Sequence, residues 1–383
     1  MIKKRKPVPP MMKMLVLLLA LFPAIQSTHG VANQPQNNKR QRKSTATSRF
    51  GSSVVFPVTG NVYPNGYYHV TINIGHPPNP YFLDIDSGSD LTWLQCDAPC
   101  TKCTPAPHSP YKPSKDLVSC KDPLCASPNG PVNKPCDNPD EQCDYEVEYA
   151  DHGSSMGVLL RDSFPLRFTN GSIVSPRLMF GKHYKLGPAE LLYGKQATGA
   201  KGFSVIFDSG STYSYFNSDA YKATLSIMKK DLSRKKLEDA ADQSLPICWK
   251  GTKPFKSISD VKNYFKPLVL SFKKGTIHKN VQLQIPPEAY LIITEHGNVC
   301  LGILNGTEVG LGNSNVLGDI SLQDKMVIYD YEKQQIGWVT ANCDRIPNMD
   351  RDYNDVSSQP FASDMGIAQE QPPETHRPRK DEL

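Results

Sequence analysis

The sequence predicts a mostly β protein, and three observations lead to that prediction. Its 383 residues include 33 prolines and 26 glycines, a composition that favours loops and strands and argues against a helical bundle. Two β-prone runs each end in the same four-residue motif, Asp-Ser-Gly-Ser, which is called a word below. Later segments alternate apolar and polar residues, as strands do. The length allows two or three domains with a large buried core.

Each copy of the repeated motif places one carboxylate at the end of its β-prone run. Residues 81–89 read Tyr-Phe-Leu-Asp-Ile-Asp-Ser-Gly-Ser and contain Asp86, and residues 203–211 read Phe-Ser-Val-Ile-Phe-Asp-Ser-Gly-Ser and contain Asp208. One copy is expected by accident in on the order of one chain in a hundred, and two copies are much rarer. A single copy is an ordinary turn sequence, but two copies after matched strands indicate a shared role.

Paired carboxylates have a chemical purpose. Two carboxyl groups within hydrogen-bond reach cannot both ionise cheaply, so one keeps its proton and the pair titrates as a unit. The charged member can activate a water while the protonated member donates to a carbonyl oxygen, which hydrolyses an amide without a covalent intermediate. We therefore predict Asp86 and Asp208 as catalytic residues. The predicted loop-supporting residues are Ser87, Gly88, Ser89, Ser209, Gly210 and Ser211.

These words, together with the cysteine-rich stretch that opens at residues 94–100 (Leu-Gln-Cys-Asp-Ala-Pro-Cys), carry a family resemblance. The chain resembles a pepsin-like aspartic protease, and more closely the plant nucellin-type aspartic proteinases, from about Phe56 to Asp344. The resemblance implies a bilobal, mostly β fold with the active site between the lobes. It also implies endopeptidase activity at acidic pH on extended peptides.

Further residues match the family pattern. Trp93 falls where the family has the tryptophan that supports its flap, and Tyr149 falls at the flap tyrosine. Independently of the family, residues 145–149 alternate before an Asp-His-Gly turn, which predicts a β-hairpin. Residues 315–319 (Asn-Val-Leu-Gly-Asp) resemble the segment that braces the catalytic loop of the second lobe. Residues 326–330 and 335–338 are predicted as closing strands.

The chain departs from the family at one place. The family has a bracing segment in both lobes, but residues 176–188 contain no convincing first-lobe copy, and only 122 residues separate Asp86 from Asp208. We expect that a block has been lost near residue 182. Because a catalytic geometry depends on its supporting structure, the alternative function is a catalytically impaired pepsin-like binding protein.

The cysteines and the flanking segments indicate the secretory pathway. A basic start followed by an apolar run predicts a signal peptide over residues 1–30, so the ten cysteines are predicted to form disulfides. Cys248 and Cys300 are a plausible local pair, whereas the seven clustered cysteines are an odd number, so one pairs far away, with Cys343 as a candidate, or stays unpaired. Zinc at the first three is the weaker alternative. The clustered cysteines are Cys96, Cys100, Cys103, Cys120, Cys125, Cys136 and Cys143.

The predicted domains follow from these boundaries. A basic, disordered spacer covers residues 31–55, the first lobe 56–190 with its cysteine-rich insertion, and the second lobe 191–345. A disordered tail over 346–383 ends in Lys-Asp-Glu-Leu, an address for the endoplasmic reticulum lumen; otherwise the location is extracellular or vacuolar. Asn170 and Asn305 begin glycan-acceptor triplets.

Charge and composition limit the partners. Residues 1–50 hold ten Lys and Arg and no acidic residue, and removing those ten cations from the net charge of +5 leaves −5 for residues 51–383. The body lacks the basic surface of a nucleic-acid binder, and no later segment is apolar enough to span a membrane. We expect a monomer that acts on a peptide or protein substrate without a cofactor or metal.

Two rival interpretations concern other segments. Residues 153–157 (Gly-Ser-Ser-Met-Gly) fit the nucleophile word of serine hydrolases, but the β-like alternation that follows does not suit the required strand, turn and helix. Residues 218–240 have apolar side chains at helical spacing, at Tyr221, Leu225, Met228 and Leu232, and are predicted as an amphipathic helix. Its lysines are interpreted as a solvated face.

Overall fold

The computed structural model describes most of the two lobes. The described residues are 54–89, 91–97, 108–113, 115–126, 138, 141–149, 154–168, 172–174, 185–272, 281–330, 335–343 and 368–369. The predicted signal peptide and spacer up to residue 53, the Lys-Asp-Glu-Leu end and the glycan acceptor Asn170 lie outside them.

Three small sheets form the described part of the first lobe. β1, β2 and β3 make an antiparallel sheet in that order, and β4–β5 and β6–β7 are hairpin pairs. A short 3-10 helix covers Pro123–Ala126. The strands are β1 (Val58–Asn61), β2 (Tyr67–Ile74), β3 (Asn79–Asp84), β4 (Asp144–Glu148), β5 (Ser154–Val158), β6 (Leu166–Arg167) and β7 (Ile173–Val174).

The second lobe is built on a seven-stranded sheet with the order β14-β13-β8-β9-β18-β10-β17 and a four-stranded sheet with the order β11-β12-β16-β15. β8 crosses the predicted lobe boundary at residue 190, because it pairs with β9. The elements are β8 (Lys185–Tyr193), β9 (Gln196–Phe207), β10 (Ser214–Phe216), α1 (Ser218–Leu232), β11 (Glu238–Ala240), β12 (Cys248–Lys250), β13 (Leu268–Phe272), β14 (Val281–Ile285), β15 (Leu291–Ile293), β16 (Val299–Leu301), β17 (Ile303–Asn305), β18 (Val316–Leu317) and α2 (Asp319–Leu322).

A last antiparallel sheet follows α2 and contains both predicted closing strands. Its strands are β19 (Lys325–Asp330), β20 (Gln335–Thr340) and β21 (Ala368–Gln369). Short 3-10 helices occupy Ile258–Asp260, Lys262–Tyr264, Pro287–Ala289 and Gly306–Val309.

Helix α1 begins where its sequence provides a cap. The side chain of Asn217 accepts a hydrogen bond from the Ala220 amide, which satisfies one of the free donors of the first turn. Met228 and Leu232 are buried on its inner face. The helix ends at Leu232 and not at residue 240 as predicted, because residues 238–240 form β11 and pair with β12 instead.

The two lobes share one apolar cluster. The larger core lies within the second lobe, whereas Val58 and Val70 of the first-lobe sheet pack in a cluster with Leu245, Ile292 and Ile320 of the second lobe. Burial of these aliphatic side chains stabilises the contact between the lobes by roughly 1.5–3 kcal/mol for each fully buried side chain. This contact positions the end of β3 against the end of β9. Among the described residues no helix is long and apolar enough to cross a membrane.

Candidate active site

The two repeated words lie next to each other and exchange hydrogen bonds. Ser87 Oγ donates to the Phe207 carbonyl at 3.0 Å, and Ser209 Oγ donates to the Ile85 carbonyl at 2.7 Å. The Ser87 amide donates to Ser209 Oγ at 3.2 Å, and the Ser209 amide to Ser87 Oγ at 3.0 Å. The serine hydroxyl of each loop therefore provides hydrogen-bond partners for a backbone amide and a backbone carbonyl of the other loop.

The glycines of the two words allow the carboxylates to approach. A Cβ placed on Gly88 would lie 2.4 Å from Asp208 Oδ1, and one placed on Gly210 would lie 2.5 Å from Asp86 Cγ. A side chain at either position would push the opposite carboxylate out of its place, so glycine leaves the space that each carboxylate occupies. Each aspartate thus lies against the other loop's glycine, which brings Asp86 and Asp208 together.

Matching hydrogen bonds orient the two carboxylates. Asp86 Oδ1 accepts from the Gly88 amide at 2.8 Å, and Asp208 Oδ1 accepts from the Gly210 amide at 3.0 Å. Ser89 Oγ donates to Asp86 Oδ2, as Ser211 Oγ does to Asp208 Oδ2 at 2.7 Å. The two predicted catalytic aspartates and the six predicted loop-supporting residues therefore lie in one site with twofold-related contacts.

The site holds more carboxyl groups than the sequence prediction included. Burial, with the nearby charge of Asp86, raises the pKa of Asp208 to about 6. Asp319, at the start of α2, is buried; its burial, with the nearby carboxylates of Asp84, Asp208 and Asp86, raises its pKa to about 8. Asp84 and Asp319 both lie inside the motifs quoted from the sequence, but nothing in the sequence placed them beside the pair.

The second-lobe loop has the predicted brace. β18 runs parallel to the end of β9, with Val316 opposite Ile206 and Leu317 opposite Phe207. The Asp208 amide donates to the Leu317 carbonyl at 3.0 Å. A Cβ on Gly318 would lie 2.2 Å from the Tyr213 carbonyl oxygen, which explains why glycine follows the two apolar residues.

The first-lobe loop has no equivalent strand among the residues that the structure describes. β3 pairs with β2 and forms an edge of its sheet. The sequence-predicted loss near residue 182 lies within residues 175–184, outside the described parts of the chain. Asp86 is exposed to solvent, whereas Asp208 is partly buried, so the two halves of the site differ in their support.

The two residues predicted to belong to the flap are joined by a hydrogen bond. Trp93 Nε1 donates to Tyr149 Oη at 2.7 Å, which joins residues 56 positions apart. β4 and β5 form the predicted hairpin before and after the turn, whose residues 150–153 lie outside the described parts. Because residues 154–158 form a strand, the serine-hydrolase interpretation is wrong, since it requires a turn into a helix.

The prediction that the cysteines form disulfides holds for some of them and not for others. The pair Cys248–Cys300 is confirmed, and Cys125 bonds Cys143 within the cluster. Cys96 is a free thiol, so its predicted disulfide is wrong; the odd count of the cluster explains a thiol without a partner. The remaining predicted cysteines are Cys120, which is disulfide-bonded, Cys343, which lies near Tyr68 and Lys325, and Cys100, Cys103 and Cys136, which lie outside the described residues.

Burial and bonding decide how two other candidate sites are interpreted: the glycan acceptor Asn305 and a group of possible metal ligands around Asp242. Asn305 is not on a surface loop as predicted: it ends β17 and is 6% exposed, and its Nδ2 donates to Glu308 Oε1 at 2.7 Å. Asp242 lies close to Cys248 and Cys300, but both sulfurs are committed to their mutual disulfide, so this group cannot hold a metal ion.

The fold and the site together define a class of protein. Its members are two-lobed β proteins in which two aspartate loops meet between the lobes. Residues 68–203 match the family model described as "Xylanase inhibitor N-terminal", and residues 185–340 match "Xylanase inhibitor C-terminal". An aspartic proteinase of rice, Oryza sativa subsp. japonica, is 38% identical, over 77% of this chain and 92% of the relative. Aspartic proteinase nepenthesin-1 of Nepenthes gracilis is 23% identical over 73% of this chain and 78% of the relative.

Solved structures agree on the fold. Basic 7S globulin from soybean aligns with a TM-score of 0.55 at 12% identity, covering 77% of this chain and 98% of that one. The structure named edgp aligns with a TM-score of 0.56 at 13% identity, covering 77% and 96%. The chain belongs to the pepsin-like aspartic protease family, among the plant aspartic proteinases.

The rice protein is longer than this chain within the aligned region. The alignment extends over 383 positions but uses 77% of this chain, about 295 residues, so about 88 positions of the relative have no counterpart here.

Proposed function

We propose that the protein is an aspartic endopeptidase in which Asp86 and Asp208 act as one general acid and base pair. The observation that carries the proposal is the reciprocal hydrogen bonding of Ser87 and Ser209, which holds the two aspartates against each other. Unequal environments favour a pair with one proton, since Asp208 is partly buried and has a raised pKa while Asp86 is exposed.

The proposed reaction uses a water held between the two carboxylates. The ionised member removes a proton from this water as it attacks the peptide carbonyl carbon, and the protonated member donates to the carbonyl oxygen. The resulting diol collapses when the carboxyl group that took the water proton donates it to the leaving nitrogen, while the other carboxylate takes a proton from a diol hydroxyl; the C–N bond breaks and the starting protonation of the pair returns. Tyr149, held by Trp93, closes the flap over the peptide substrate. No cofactor or metal takes part in these steps.

The deciding experiment is cleavage of an unfolded protein substrate by the purified chain between pH 3 and pH 7. We expect pepstatin-sensitive cleavage that is abolished by Asp86→Asn and by Asp208→Asn. Asp219→Asn, on the surface of α1, is the matched control and should leave the rate unchanged. Monodisperse, folded protein with no cleavage over this range would reject the proposal.

The second candidate is a binding protein that holds a peptide without cleaving it. The exposed Asp86 and the open edge of β3 favour this alternative, because the first carboxylate then lacks the support that the second one has. A pepstatin complex without hydrolysis of any substrate would identify it. For the protein's location we propose the secretory pathway, with the lumen of the endoplasmic reticulum as the destination, and a monomeric state.

A further inference from the structure

The open edge of β3 has a defined hydrogen-bonding pattern. The Ile85 amide donates to the Tyr68 carbonyl of β2 at 3.3 Å, and successive residues of a strand direct their backbone groups to opposite sides. The amides of Leu83 and Ile85 therefore face β2. Those of Asp84 and Asp86 face the open side, where the structure describes no other strand.

The second lobe shows what fits such an edge. There the Ile206 amide donates to the Asn315 carbonyl at 2.8 Å and the Asp208 amide to the Leu317 carbonyl at 3.0 Å. Asp208 corresponds to Asp86 in the repeated word, so Ile206 corresponds to Asp84. The donors that face the open edge of β3 are thus the same two that the brace satisfies in the second lobe.

The surface beside this edge combines aromatic rings, one of which also contacts His108, with the exposed carboxyl of Asp84. Phe82 is 38% exposed and Tyr67 is 49% exposed. Between them lies His69, whose ring contacts both aromatic rings and whose buried Nδ1 has no hydrogen-bond partner in the described structure. A buried polar atom without a partner is costly, and an exposed aromatic patch marks a binding surface.

We propose that the open edge of β3 binds an extended peptide segment of a different protein, with two aliphatic residues followed by glycine, as an added parallel strand. Carbonyl oxygens of this segment accept hydrogen bonds from the Asp84 and Asp86 amides, as β18 does for Ile206 and Asp208. The segment supplies in trans the brace that the described part of the first lobe lacks. Strand addition to a free sheet edge is an established mode of peptide recognition.

The test uses a capped peptide with the sequence of residues 315–322, Asn-Val-Leu-Gly-Asp-Ile-Ser-Leu, and the full chain carrying Asp208→Asn, so that the peptide is not cut. Fluorescence anisotropy measures binding, and hydrogen exchange maps it. We expect saturable binding and at least tenfold slower exchange at the Asp84 and Asp86 amides. A peptide with valine in place of its glycine should not bind, because the equivalent Cβ on Gly318 meets the Tyr213 and Ser211 carbonyls.

Two protein variants complete the design. Asp84→Pro removes an amide that faces the open edge and leaves the ladder to β2 intact, and Phe82→Lys charges the adjoining surface; each should weaken binding at least tenfold. Ile173→Lys, on an exposed residue elsewhere in the first lobe, is the matched control. Because binding is read without hydrolysis, these results do not depend on the proposed protease activity.

Three outcomes would overturn the proposal. The first is the absence of saturable binding. The second is protection confined to the flap and residues 86–89 with displacement by pepstatin, which would place the peptide in the cleft. The third is a dimer in solution, without peptide, whose Asp84 amide is already protected, which would show that a second copy of the chain covers the edge.

Discussion

Ser87 and Ser209 are 122 residues apart and bind each other's loop in the same way, each hydroxyl accepting from the other's amide and donating to a carbonyl beside the other aspartate. The two serines therefore join the catalytic loop of one lobe to that of the other by hydrogen bonds. Because four hydrogen bonds depend on two hydroxyl groups, the spacing of the carboxylates is coupled to the contact between the lobes.

Ser87→Ala and Ser209→Ala should each destabilise the protein by roughly 1–3 kcal/mol, since each leaves partly buried amide and carbonyl groups without partners. The double variant should lose less than the sum of the two, because both changes break the same network. Urea unfolding followed by tryptophan fluorescence measures these values. Ser233→Ala, at an exposed site, should change stability by less than about 0.5 kcal/mol; additive losses at Ser87 and Ser209 would contradict the coupling.

Cleavage should be fastest at acidic pH and should decrease as the pH rises through about 6. Burial and the charge of Asp86 raise the pKa of Asp208 to about 6, and above that value the pair loses the proton that the reaction requires. Initial rates measured over pH 3–8, with stability checked at each pH, show this decrease in rate. A rate that continues to rise to pH 8 would show that another group controls the reaction.

Asp319→Asn should increase the free energy of unfolding at pH 7 by roughly 2–4 kcal/mol. The pKa of Asp319 is raised to about 8 in the folded protein from an ordinary value of 3.8. Between these values the folded state holds a proton that the unfolded state has released, so stability decreases as the pH rises. At pH 3.5 the variant and the parent should be nearly equal, and a variant that is less stable at pH 7 would contradict the assignment.

Replacing both Cys248 and Cys300 with serine should destabilise the second lobe by about 4 kcal/mol, because the bond closes a loop of 52 residues. The same change at Cys125 and Cys143, which are 18 residues apart, should cost about 3 kcal/mol in the first lobe. Calorimetry of the two double variants gives the comparison. A larger effect at the first-lobe pair would show that chain entropy does not dominate.

Trp93→Phe and Tyr149→Phe should each reduce kcat/KM by roughly tenfold, since either change removes the hydrogen bond of 2.7 Å that holds the flap residue. The double variant should be no worse than either single one, because the same contact is lost. Trp249→Phe, buried in the second-lobe core, is the control and should affect stability and not the reaction. Equal kinetic losses in all three would argue against a specific flap contact.

Local signals in the sequence predicted the aspartate pair, the second-lobe brace and the flap hairpin, because each depends on short-range residue patterns. The two Asp-Ser-Gly-Ser words needed only a strand and a turn, and the alternation at residues 145–149 indicated the hairpin. The end of α1 was missed because pairing of residues 238–240 with β12 overrides the helical spacing of the segment.

The sequence by itself determined that two matched words each present one aspartate and that only a short interval separates them. Only the tertiary structure decided that Asp84 and Asp319 share the site, that Asn305 is buried and that Cys96 is a free thiol. It also decided that β3 has no neighbouring strand on one side among the residues that the structure describes. Those properties arise from contacts between residues far apart in the chain, whose burial and charge depend on how the lobes pack. No local pattern of residues encodes that packing.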